Sequence, residues 1–271
     1  MPGLESTGMT SQLGKPEFRA RFVGSLADSD LTVERNEREF EAFKVRIAEI
    51  VSQAGLEPET CFQATLRKRP STARGEQTVI RLLDASLDVI GKRGIRGTNT
   101  RAIAEEAEVN VATLYQYFED VDSLLEAAAL REQALRTGIM SERVVELASG
   151  APLGEWIDGT VDLIVSGSFV TDRHRAVMIA MQALPSLSPV PRLGWETAAQ
   201  ILATTLSFRF GGDPGEYWLL YARTVQSATR MVTDDVVVDG EPEDLDRVWQ
   251  VYEMAWEYLL ARIPEHSETG P

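Results

Sequence analysis

Cysteine is all but missing from this chain of 271 residues: Cys61 stands alone, and His174 and His266 are the only histidines. A single thiol excludes an internal disulfide framework and suits a reducing compartment, so a cytoplasmic setting is expected. With so few nitrogen and sulfur ligands no metal site is expected, and Cys61 reads as a small buried apolar residue. No apolar run approaches the roughly 18 residues of a membrane span. Met1–Gln12 lacks the basic flank and apolar stretch of a signal peptide. Strand patterning is missing too: Val236–Val238 is the only run of three valines, and it is too short to found a sheet. The motifs HExxH, GxSxG, GxxxxGKS/T and GxGxxG are all absent. Gly211–Gly215 is glycine-rich like a phosphate loop, but it has no lysine and no strand before it. Neither an enzyme nor a cofactor is expected.

Charge is plentiful but unevenly spread. The net charge of −15 suits a polyanion binder poorly. Between Arg67 and Arg101, however, nine basic residues face only Glu76, Asp84 and Asp88, a local excess of six positive charges. The remainder of the chain therefore carries about −21, and one basic segment sits inside an acidic protein. The 44% hydrophobic content allows a sizeable core without staples.

Periodicity is helical almost throughout, which predicts an all-α fold. Residues 1–66 read as a partly disordered N-terminal extension holding one amphipathic helix, with Phe40, Phe43, Ile47, Ile50 and Ala54 along one face. Arg67–Gly75 is a basic linker punctuated by Pro70 and Gly75, after which Val79, Leu82, Leu83, Leu87 and Ile90 mark another helix. Residues 67–125 form the expected basic arm and head. Residues 126–263 form a larger helical domain with helices near 152–169, 173–184, 190–209, 214–233 and 243–262, and residues 264–271 are a tail.

The informative stretch is Thr98–Phe118. Two short helices cross steeply only where small residues meet. Ala104 and Ala107 supply those, while Ile103, Val109 and Leu114 fill the core beneath. Glu108–Val109–Asn110 is a turn of helix-turn-helix length. The next helix leads with Asn110, Val111, Ala112 and Thr113, small or polar residues that permit close approach to base edges. Tyr115, Gln116 and Tyr117 add longer reach to bases and phosphates.

From Ile103-Ala104 through Ala107, Val109 and Thr113–Phe118 to Leu124-Leu125, the sequence closely resembles the TetR (tetracycline-repressor) family. The resemblance spans about residues 67–130. It implies a three-helix DNA-binding head joined to a C-terminal domain that binds a small effector and dimerises through its last two long helices. Carried over by position, Thr100 and Arg101 would touch phosphate, Val111, Ala112, Thr113 and Tyr115 would face bases, and Tyr117 would touch the backbone. Two positions depart from the family: Glu108 replaces a usual turn glycine, and Val121 a usual phosphate-touching lysine. Arg67, Lys68, Arg69 and Arg74 are expected to offset that loss as a flexible arm in the minor groove, although a solvated hinge fits the same residues.

The expected function is therefore a ligand-responsive transcriptional regulator, most simply a repressor, that binds a palindromic DNA operator as a homodimer. The expected partners are double-stranded DNA, a second copy and a small molecule, with no membrane. The alternative is a helical protein-interaction module that keeps the helix-turn-helix as a scaffold. Trp156, Phe169, Met178, Met181, Trp195 and Phe208 are candidates for an effector pocket, although apolar pockets and apolar cores look alike in sequence. Trp249, Tyr252, Trp256 and Leu259 recur at helical spacing and are candidates for the dimer face.

Overall fold

A computed structural model describes residues 35–165, 171–187, 189–239, 250–252, 254–256 and 258. Every long element among them is a helix: α1 (Glu37–Gln53), α2 (Ala73–Arg93), α3 (Thr100–Glu106), α4 (Val111–Tyr117), α5 (Val121–Ala148), α6 (Leu153–Val165), α7 (Asp172–Ala183), α8 (Pro189–Phe210) and α9 (Leu219–Asp239). Val236–Val238 falls within α9, so helical context overrides its β-branched preference.

Local chemistry sets the helix starts. Asn36 and Glu39 close a capping box on α1, and Thr72 accepts from the Gly75 amide at the start of α2. Asp120 and Ser123 cap each other at the start of α5. At 28 residues, α5 is about 42 Å long and reaches both cores.

Two apolar cores result. One gathers α2, α3, α4, the first turns of α5 and the inner face of α7 around Val79, Leu82, Leu83, Ile103, Leu114 and Phe118. The other gathers α6, α8, α9 and the far end of α5 around Trp156, Ile157, Leu206, Phe210 and Trp218. Arg209 fixes this second end: its guanidinium donates to the carbonyls of Leu147 and Ala151, at 2.7 and 2.6 Å, where α5 stops.

The apolar stripe of the extension finds its partner in the same chain. Phe43, Ile47 and Ile50 are buried in the second core, and Phe43 stacks on Phe208 of α8 at 4.7 Å between ring centroids. Arg35 closes over the same ring and donates to the Phe208 carbonyl at 2.8 Å. Beyond α1 the chain crosses to the first core, where Phe62 is buried and Cys61 and Leu66 pack beside it. Residues before Arg67 thus serve both cores.

Candidate nucleic-acid interface

The short helices α3 and α4 are each opened by an asparagine. Asn99 accepts from the Ala102 amide at 3.0 Å, and Asn110 from the Ala112 amide at 2.9 Å. Between them, the Glu108 and Val109 amides donate to the carbonyls of Glu105 and Ala104 at 3.1 and 2.9 Å. That is a Schellman turn, which needs a left-handed residue at Glu108. Glu108 has φ of 55° and is the one non-glycine residue with positive φ among those described. The departure noticed in the sequence is accommodated with the turn intact.

On α4, Tyr115 is 43% exposed. Ala112 and Gln116 are exposed beside it, and Val111 and Thr113 are half-buried. Asn110 is exposed, but its side-chain oxygen is engaged in the cap. Arg101 is exposed and Thr100 half-buried at the start of α3. Tyr117 behaves differently. It is 8% exposed, and its hydroxyl lies against the buried Gly75 at the start of α2.

The basic arm is pinned rather than loose. The Arg67 amide donates to the Tyr117 carbonyl at 2.8 Å, which ties the arm to the end of α4. A Cβ at Gly75 would stand 3.0 Å from Pro70 and 3.1 Å from the Tyr117 hydroxyl, so the arm lies close on the start of α2. Arg67, Lys68, Arg69 and Arg74 remain exposed along this path. The expectation of a flexible arm is thus corrected: the segment is held at both ends beside the helix-turn-helix. The basic excess is also smaller than the sequence count suggests, because Lys92 pairs with Glu106 at 2.6 Å and Arg93 with Glu105 at 3.7 Å.

Residues 82–128 match the family model described as bacterial regulatory proteins, tetR family. The head is thus similar to the tetR family over these residues. The HTH-type transcriptional repressor KstR of Mycolicibacterium smegmatis is 42% identical over 72 residues, covering 27% of this chain and 34% of KstR. The uncharacterized HTH-type transcriptional regulator YvkB of Bacillus subtilis is 36% identical over 62 residues, 23% of this chain and 33% of YvkB. The chain spans about a third of the length of these curated relatives. A structure described as a tetR-family transcriptional regulator of Mesorhizobium loti aligns at a TM-score of 0.57 with 16% identity, covering 70% of this chain and 98% of the other. NalD of Pseudomonas aeruginosa, described as the secondary repressor of a multidrug efflux pump, aligns at 0.51 with 16% identity over 68% of this chain and 96% of its own. At such identities the likeness is one of fold. The likeness of fold extends beyond the matched head over most of the chain.

Behind the head, three of the six pocket candidates come together. Met178, Met181 and Trp195 line a small cavity of about 30 Å³ between α5, α7 and α8. Its polar wall was not anticipated: Glu132, Gln133 and Arg136 come from α5 and His174 from α7. Burial raises the Glu132 carboxyl above the usual carboxylate range. Burial, with the nearby Arg136 charge, lowers His174 to about 2, so it is a neutral imidazole. Glu132 could have been suspected from sequence, since it follows Ala128 and Ala129 on their otherwise apolar face. His174 gave no such signal.

The other candidates lie elsewhere. Trp156 is a core residue whose indole donates to the Arg143 carbonyl at 2.6 Å, and Phe208 is covered by Phe43. Both are corrections: Trp156 is buried in the second core, and Phe208, half-buried, packs on α1 and does not line the cavity. Phe169, Trp249 and Leu259 fall outside the described residues. Trp256 is also corrected. It is 2% exposed and packs edge-on to Trp156 at 5.8 Å, inside its own protomer. Tyr252 is half-buried against the same core. Large apolar side chains that face outward near this core include Met254 (69% exposed), Tyr258 (50%) and, on α9, Leu220 (67%).

Cys61 is half-buried. Burial pushes its thiol up to about 11, and it packs against the head core. No described helix is long and apolar enough to cross a membrane, and no described cluster of acidic, histidine and cysteine residues could hold a metal ion.

Proposed function

We propose that this chain is a ligand-responsive, DNA-binding transcriptional regulator that acts as a homodimer, most simply as a repressor of a palindromic operator. The carrying observation is the exposed leading face of α4, with Ala112, Tyr115 and Gln116 outward and the pinned arginine arm beside it. A small-residue helix start lets the backbone approach a major groove, Tyr115 reaches a base edge, and Arg67, Lys68, Arg69, Arg74 and Arg101 neutralise flanking phosphates. Two heads entering successive grooves would stand about 34–36 Å apart. The outward Leu220, Met254 and Tyr258 support pairing of two copies through this end of the molecule. That KstR is named a repressor supports the sign of the output.

The cavity between α5, α7 and α8 is the proposed effector site. At about 30 Å³ it holds little more than water, so a small organic molecule must open it. Opening moves α5 or α7, both of which carry the head. The molecule releases DNA by binding the opened form in preference to the DNA-binding form.

The test is a selection of duplexes from random DNA at ~100 mM salt, followed by titration of the selected sequence. Specific retention is expected, and Tyr115→Ala should weaken it by about 1–3 kcal/mol at unchanged melting temperature. Failure to enrich any duplex would overturn the reading.

A further inference from the structure

The cavity and the head are joined through one carboxylate. Asp84 lies in the middle of α2, half-buried on the side that faces the regulatory helices. Its Oδ1 atom accepts from Arg131 Nη1 of α5 at 2.7 Å and from Arg173 Nη1 of α7 at 2.9 Å. One turn further along α2, Asp88 accepts from Arg173 Nε at 3.2 Å. The next residue on each regulatory helix lines the cavity: Glu132 follows Arg131 on α5, and His174 follows Arg173 on α7. Both are buried. Successive residues on a helix point about 100° apart, so a residue aimed at the cavity places its neighbour toward the head. The same one-residue step occurs on both walls.

We propose that Asp84 is the positioning residue that reports the width of the cavity to the DNA-binding head. This rests on the reading of the cavity as an effector site. Two guanidinium groups from different helices converge on a single oxygen, and that oxygen belongs to a third helix. If α5 and α7 separate, Asp84 cannot follow both. It keeps one partner and loses the other, and α2 travels with the helix it keeps. Asp88 biases the outcome toward α7, because Arg173 then holds α2 by two carboxylates while Arg131 holds it by one. α2 carries Val79, Leu82, Leu83 and Ile90 in the head core, so its displacement tilts α3 and α4 together. Exposed ion pairs stabilise little, and these pairs are only partly buried. Their importance here is geometric: they define two discrete arrangements where apolar contact alone permits gradual sliding.

Linkage is reciprocal, so DNA on the head must alter the cavity by the same factor that the cavity alters DNA binding. That permits a test with DNA as the only probe. Met178→Cys, in a Cys61→Ser background, places one thiol in the cavity wall, and its rate of reaction with an aromatic disulfide reads cavity opening. The rate is measured without DNA and at saturating selected duplex. With Asp84 present, the duplex is expected to change the rate by about fivefold or more. With Asp84→Asn, and independently with Arg173→Gln, the change is expected to shrink to about twofold or less. Arg173→Lys, which keeps the charge, should restore part of it. Saturation makes the comparison independent of any change in DNA affinity, and the two variants from different helices guard against one failing to fold. An unchanged duplex response in variants that bind DNA would overturn the role of Asp84 while leaving the regulator reading intact. If the reporter protein binds duplex with no change in thiol rate, coupling between cavity and head is refuted, and Asp84 with it. If no duplex is bound, the regulator reading itself falls and takes the inference with it.

Discussion

At Glu108 the chain holds a side chain in a conformation that glycine adopts freely. A Cβ in the left-handed region costs roughly 1–2 kcal/mol, while a glycine there would add about 0.5–1 kcal/mol of entropy to the unfolded chain. The difference favours glycine, so Glu108→Gly is expected to stabilise the protein by about 0.5–1 kcal/mol. Thermal melting reads this directly, and a lowered midpoint would show that the carboxylate has a compensating partner. His174 makes a second, pH-dependent case. Burial first, and then the Arg136 charge, hold it near 2, far below its ordinary value of 6.5. A histidine kept neutral by the fold binds its proton more readily when unfolded, so stability falls as pH drops below 6.5. Between pH 6.5 and pH 5 the loss from this residue is about 2 kcal/mol. Glu132, across the cavity, acts in the opposite sense, because burial raises its carboxyl and acid favours its folded, protonated form. Comparing wild type with His174→Gln isolates the histidine. The variant should lose much less stability over the same range, and parallel curves would refute a neutral His174.

At the scale of elements, the helix-turn-helix was legible from the sequence almost residue by residue. Its determinants are local: Asn99 and Asn110 as caps, Ala104 and Ala107 at the crossing, and a three-residue turn. The basic arm was legible as charge but not as structure. Nothing in Arg67–Arg74 announces that the Arg67 amide pairs with the Tyr117 carbonyl, since that bond joins residues 50 positions apart. Aromatic stripes were the least legible. Trp256 and Met254 are two positions apart on one segment, one in the core and the other at the surface, and periodicity alone cannot say which face has a partner. The pinned arm gives a sharper prediction than a loose one. Replacing Arg67, Lys68 and Arg69 by glutamine should weaken binding to specific and non-specific duplexes alike. The slope of log affinity against log salt should fall by about 0.9 for each phosphate contact removed. An unchanged slope would leave the arm as a structural strap only.

At the scale of the whole molecule, the amphipathic pattern of α1 was plain from the sequence, but its partner could have been this body, a second copy or another protein. The structure places it on α8 and α5 of the same chain, with Phe43, Ile47 and Ile50 buried and Arg35 bonded to the Phe208 carbonyl. Burying three such side chains stabilises by about 5–8 kcal/mol before ordering costs are set against it. Removal of residues 1–54 therefore uncovers an apolar surface around Phe208 and should lower the unfolding midpoint markedly. The head should respond differently. Phe62, Leu66 and the Arg67–Gly75 segment lie beyond the deletion, and these residues seat the arm against α2 and α4. Affinity for selected duplex, measured below the new unfolding transition, is expected to stay the same. A matched loss of affinity and stability would mean that α1 positions the head, making the extension part of the switch rather than a support for the second core. The two results can be told apart because the deletion ends before the first residue that packs on the head.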